Sequence, residues 1–142
     1  MIGKLSAAWS AVIVGWLCLP GAGVAQESGT TALASLNTLL ANQSMTGVTL
    51  EVSGTGDVLR KDANGNAMTF ALKTIEGFDV DWDGVVGNLL LKCAGDQQCV
   101  TADLDGGTRR ATLAFCVISF KPNSDIDGAI ALFKRLKTAT AK

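Results

Sequence analysis

Two periods divide the chain. In "TALASLNTLLANQ", Leu33, Leu36 and Leu40 recur at i, i+3 and i+7 with Thr30 or Thr31 placed to cap, which predicts a short helix over 31–42. At Gly47 the period falls to two: Val48, Leu50 and Val52 alternate with Thr49, Glu51 and Ser53, as in a strand buried on one face. The alternation persists through "DVLRKD", "AMTFALKTI", "GFDVDW", "GNLLLKC", "CVTADL" and "RRATLAFCVISF", with turn signals at Asn64-Gly65, Asp83-Gly84, Gly95-Asp96 and Asp105-Gly106. Seven strands over 47–120 joined by short turns predict an antiparallel meander. Asn64-Gly65 reads as a two-residue type I′ hairpin turn, because both residues tolerate positive φ.

Pro122 ends the last strand and the helical period returns. Ile126, Ala129, Ile130, Phe133 and Leu136 make the apolar stripe of a helix over 124–138. Asn123 or Ser124 caps it, and Ser124 with Asp127 forms an acidic capping box. Asp125 and Asp127 open the helix while Lys134, Arg135 and Lys137 close it, the charge order that suits the helix dipole.

The first residues follow neither period. Lys4, the apolar run Ala7 to Leu19 and the small-residue segment "PGAGVA" have the three-part layout of a secretory signal peptide over 1–25, with cleavage after Ala25. The apolar run falls well short of the ~20 residues a membrane helix needs. Cys18 is not placed for lipidation, since Trp16 and Leu17 precede it. The polar "QESGT", 26–30, is a linker, and 31–142 is one α+β domain, exported to the periplasm or secreted and without a membrane span once the leader is gone.

Composition then narrows the functions. Thirteen acidic residues stand against twelve basic, eleven without Lys4, and no long run of either sign invites nucleic acid or an anionic membrane. Histidine is absent, which removes histidine bases, Ser-His-Asp systems and every histidine metal site. Tyrosine is absent too, and Trp82 is the one tryptophan beyond the leader. Of the three cysteines beyond it, Cys93 and Cys99 flank a short hairpin loop in "KCAGDQQCV" and are expected to form a disulfide; Cys116, inside "ATLAFCVISF", is expected to be a free buried thiol.

The order of elements, the cysteine hairpin "LLLKCAGDQQCV" and the closing "SDIDGAIALFKRL" together resemble a group of exported bacterial proteins of unknown function with a pleckstrin-homology-like barrel: a leading helix, seven strands and a closing helix. The resemblance runs from about Gly47 to Lys137 and implies a non-enzymatic binding or assembly role toward an envelope protein or ligand. It does not imply phosphoinositide binding, because the first hairpin has Arg60 and Lys61 beside Asp57 and Asp62 rather than a basic cluster.

The candidate chemistry lies in "DVDWDGVVGNLL". Asp79, Asp81, Asp83 and Gly84 fill the opening positions of a calcium loop, but the twelfth position, where a bidentate glutamate should close the shell, is Leu90. The competing reading is a strand with Phe78, Val80 and Trp82 toward the core, the aspartates toward water and an Asp-Gly turn at its end. A weaker calcium site completed by Asp103 or Asp105, and a small hydrolase using paired carboxylates, are the alternatives to a binding module. "DLDGGTRR" reads as a turn followed by an exposed strand start rather than as an anion site.

Overall fold

The computed structural model describes residues 20–95 and 97–141. The expected signal peptide falls mainly on residues 1–19, outside the described residues. The fold is α+β: helix α1 (Pro20–Gln43), strands β1 (Thr49–Val52), β2 (Asp57–Lys61) and β3 (Ala67–Ala71), a 3-10 turn (Leu72–Thr74), strands β4 (Ile75–Asp83), β5 (Val86–Cys93), β6 (Val100–Leu104), β7 (Arg109–Leu113) and β8 (Phe115–Phe120), and helix α2 (Ile126–Thr140). All pairing is antiparallel, in a five-stranded sheet ordered β1-β2-β3-β6-β7 and a three-stranded sheet ordered β4-β5-β8.

The expected seven-stranded meander closing into a barrel is corrected on three counts: eight strands, two sheets, no closure. "RRATLAFCVISF" is not one strand. Its first half pairs with β6 and its second with β5, and Ala114 alone carries the chain from one sheet to the other. The 3-10 turn does the same between β3 and β4, and the cysteine loop does it between β5 and β6. Register brings these three crossings to one corner. Ile75 stands opposite Cys93, Lys92 opposite Phe115, and Val100 opposite Leu113. The amide of Cys93 donates to Ala114 O at 2.9 Å and that of Ala94 to Thr74 O at 3.1 Å, so the crossings are stitched together. Cys93 and Cys99 stand at disulfide distance across the corner, Cα atoms 5.8 Å apart, and α2 reaches it through Lys137, whose ammonium donates to the Ile75 carbonyl.

The inner faces of both sheets and the apolar stripes of both helices share one core. Ala32, Leu36 and Leu40 from α1 and Ile126, Ala129, Phe133 and Leu136 from α2 are buried with Val58, Phe70, Leu89, Leu91, Ile118 and Phe120. Phe78 of β4 meets Phe133 of α2 with ring centroids 6.2 Å apart.

Local expectations shift for identifiable reasons. The helix read over 31–42 extends back through 26–30, where the sequence suggested a linker. The one residue there with poor helix propensity, Gly29, lies so close to α2 that a Cβ on it would stand 3.0 Å from the Ala139 Cβ. The Asn64-Gly65 turn is not type I′. Asp62 accepts the amides of Asn64 at 2.9 Å and Asn66 at 3.2 Å, which leaves only Gly65 with positive φ. At α2 the cap is Asp125, whose carboxylate accepts from Gly128 N at 2.9 Å; Ser124 Oγ turns instead to the Lys121 carbonyl at 2.6 Å, so the capping box does not form. Finally, Phe78 and Val80 are half-buried as expected, but Trp82 is 55% exposed. It lies near the end of the β4–β5 hairpin, where its indole covers Gly87, the residue opposite it.

Candidate functional site

An edge strand presents unpaired N–H and C=O groups, and the fate of each edge separates structural surface from binding surface. Two sheets have four edges. That of β1 is occupied by a side chain: Asn37 of α1 donates from Nδ2 to Leu50 O at 3.0 Å and accepts Leu50 N on Oδ1 at 2.8 Å, completing both backbone groups as a neighbouring strand would. That of β8 is occupied by backbone. Met45 N donates to Ser119 O and Lys121 N to Gln43 O, both at 2.8 Å, and Ser44 bridges to Phe120. The β7 edge is five residues long, and its Arg109 and Arg110 are held by Asp105 and Asp103, at 3.2 and 2.8 Å.

The fourth edge, β4, is nine residues long and the longest strand in the fold. Among the described residues nothing is hydrogen-bonded to its outer backbone groups between Glu76 and Asp83. Which groups these are follows from the hairpin. Gly84 and Val85 form a two-residue loop with positive φ at Gly84 only, the pattern of a type II′ turn, and such a loop closes on a hydrogen-bonded pair, here Asp83 and Val86. Alternation makes Asp81 with Asn88 and Asp79 with Leu90 the next bonded pairs. The Cys93 amide bond to Ala114 agrees with this, since it places the odd-numbered backbone groups of β5 toward β8 and the even-numbered ones toward β4. The N–H and C=O of Phe78, Val80 and Trp82 therefore point away from the sheet and have no partner among the described residues.

Acids flank this edge on both sides. Asp79, Asp81 and Asp83 lie exposed on the outer face, and Glu76 is exposed at the bulge between Ile75 and Gly77. On the inner side, β4 and the first turn of α2 enclose a cleft of about 250 Å³ lined by Val80, Trp82, Ser124, Asp125, Ile126 and Asp127. Gly87 shapes this cleft: a side chain there would overlap Ile126 Cδ1 and crowd Trp82 Cζ3 at 3.0 Å, so glycine is what lets the indole lie down. Six of the thirteen acidic residues thus border one strand edge, and of the three aspartates on β4 only Asp79 has a salt bridge, to Lys92 at 2.6 Å.

The three aspartates alternate along one face and do not converge. Among the described residues no three histidine, cysteine or acidic side chains come together as a metal shell. Asp103 and Asp105, the residues expected to complete a weaker calcium site, lie at the β6–β7 hairpin of the other sheet and are engaged by Arg110 and Arg109. "DLDGGTRR" is accordingly a hairpin turn, with positive φ at Asp105, Gly106 and Gly107, and its guanidinium groups already have carboxylate partners.

Cys116 is fully buried, and burial pushes its thiol up to about 12 against the opposing charge of Arg60, so it carries no thiolate at neutral pH. A second cleft, of about 420 Å³ and lined in part by Thr55, Lys73 and Lys137, has one of its two ammonium groups committed to the Ile75 carbonyl. No described helix is long and apolar enough to cross a membrane.

Sequence reasoning found the acidic stripe but not the open edge. Strand order decides which strands are edges, and the signal that could have pointed to it is charge: an uninterrupted row of alternate aspartates suits a strand with no neighbour on one side. No protein-family model, curated protein or solved structure matches the chain.

Proposed function

We propose that the protein is an exported, non-enzymatic binding or assembly module that takes up an extended segment of a partner as a fourth strand beside β4. The observation that carries this reading is the asymmetry of the edges: two are sealed by Asn37 and by the Gln43–Met45 segment, one is short, and the longest is open among the described residues and bordered by a cleft with an apolar floor and an acidic rim. Strand addition gives affinity through main-chain bonds and selectivity through the pockets that meet alternate side chains. Export is supported by the layout of residues 1–25. The likeness to pleckstrin-homology-like proteins belongs to the same proposal: a strand-rich region followed by one closing amphipathic helix supports it, and the open, two-sheet arrangement limits it to kinship of layout.

The test uses a proline. Val80 N–H faces outward, so Val80→Pro removes an edge donor without breaking a bond to β5, and proline is tolerated at such positions. Peptides selected from a random extended library on the immobilised protein should lose binding to Val80→Pro by about tenfold or more, the equivalent of one or two main-chain bonds, while the melting curve stays in place. Selected peptides that bind Val80→Pro as well as the parent would sink the reading.

A further inference from the structure

Resting on the strand-addition reading, we propose that the β4 edge selects its partner by charge and period: an extended peptide in which lysine or arginine alternates with apolar residues. The pleat imposes the period. In a strand laid against Phe78, Val80 and Trp82, successive side chains fall on opposite faces of the sheet. Those on the outer face come to lie beside Asp79, Asp81 and Asp83, all exposed, where opposite charges across a strand pair attract and like charges repel. Those on the inner face meet the cleft of about 250 Å³, whose apolar floor is Val80, Trp82 and Ile126 and whose rim is Asp125 and Asp127. A valine or isoleucine fits that floor. A basic side chain at the rim has two carboxylates and the indole of Trp82, a residue 55% exposed, to receive it.

The same charges choose between occupants. A second copy pairing β4 against β4 would bring two rows of aspartates together, which is how edge strands are protected from self-association. A second copy offering β7 brings arginines already held by Asp103 and Asp105, with those acids alongside. An acidic or phosphorylated segment meets repulsion along the whole edge. A basic, alternating segment of another protein is the occupant the charge pattern favours.

Four ten-residue peptides with blocked ends test this by fluorescence anisotropy: lysine alternating with valine, serine alternating with valine, glutamate alternating with valine, and a block of five lysines followed by five valines. The lysine–valine alternation is expected to bind most tightly, by about tenfold over the serine peptide at low salt. That margin should shrink as salt rises and should be lost in the triple variant Asp79→Asn, Asp81→Asn, Asp83→Asn. All three sites are exposed, so the triple variant should melt with the parent, and Asp81→Asn alone, which should lose part of the margin, serves if it does not. Equal binding of the serine peptide, with both still sensitive to Val80→Pro, would overturn the charge inference and leave strand addition standing. Equal binding of the block peptide would overturn the period. If no peptide binds, or sedimentation of the protein alone shows assembly that Val80→Pro abolishes, the partner is not a basic peptide and the inference fails.

Discussion

Arg60 reaches inward from β2 with 5% of its surface exposed and finds one charged partner, Asp62, at 2.9 Å. Its Nε has no partner among the described residues. A buried pair of this kind contributes little beyond what apolar groups of the same shape would, but removing one member strands the other. Asp62→Ala is therefore expected to cost about 3 kcal/mol, since it also frees the Asn64 and Asn66 amides, whereas Arg60→Met should cost far less; urea unfolding of the two variants compares them directly. The acid limb carries the same signature. Burial alone would raise the Asp62 carboxyl, but hydrogen bonds from Arg60, Asn66 and Asn64 outweigh it and hold the group below its usual value. Its unfolded value is about 3.9, so its contribution is whole above that pH and disappears as pH falls through the lower folded value. Asp62→Asn should flatten the loss of stability between about pH 4 and the acid transition, and a parent-like slope would contradict that. None of this was visible in the sequence, where Arg60 and Asp62 read as ordinary surface charges of a first hairpin.

Elements were legible where one period ran unbroken. The stripe of α2 and the alternation in β1, β2 and β5 mark their elements to within a few residues, because a periodic face is what the core selects. Legibility failed at the corner. In "RRATLAFCVISF" the apolar run from Leu113 to Ile118 has no turn residue and hides the change of inward face from Leu113 to Cys116, so nothing local announces that Leu113 and Phe115 belong to different sheets; long-range pairing with β6 and β5 decides it. The Cys93–Cys99 pair was legible from its spacing and the expectation of export, but its place at the junction of three crossings was not. The double variant Cys93→Ser, Cys99→Ser is expected to lose about 2 kcal/mol, the loop-closure value for so short a ring. Amide exchange should rise first at Cys93 and Ala94, whose bonds to Ala114 and Thr74 hold the corner. A uniform rise over the whole molecule would show that the staple supports the fold at large rather than this junction.

The two helices and two sheets close one core and, among the described residues, leave the outer edge of the long strand β4 without a partner. The candidate site was half legible: Asp79, Asp81 and Asp83 stood out as a stripe, and Leu90 at the twelfth position argued against a calcium loop, but only the strand order turned the stripe into an edge. The expectation that Trp82 faces the core failed because it sits near the end of the β4–β5 hairpin, where it lies over Gly87 and lines the cleft beside the first turn of α2, 55% exposed. If β4 is where a partner's backbone pairs, hydrogen exchange read residue by residue should show it. In the free protein the amides of Phe78, Val80 and Trp82 should exchange fast while those of Asp79, Asp81 and Asp83, bonded to β5, exchange slowly. On adding the lysine–valine peptide the three fast amides should slow by about tenfold or more. If the peptide binds and those three amides exchange as before, β4 is not the docking strand.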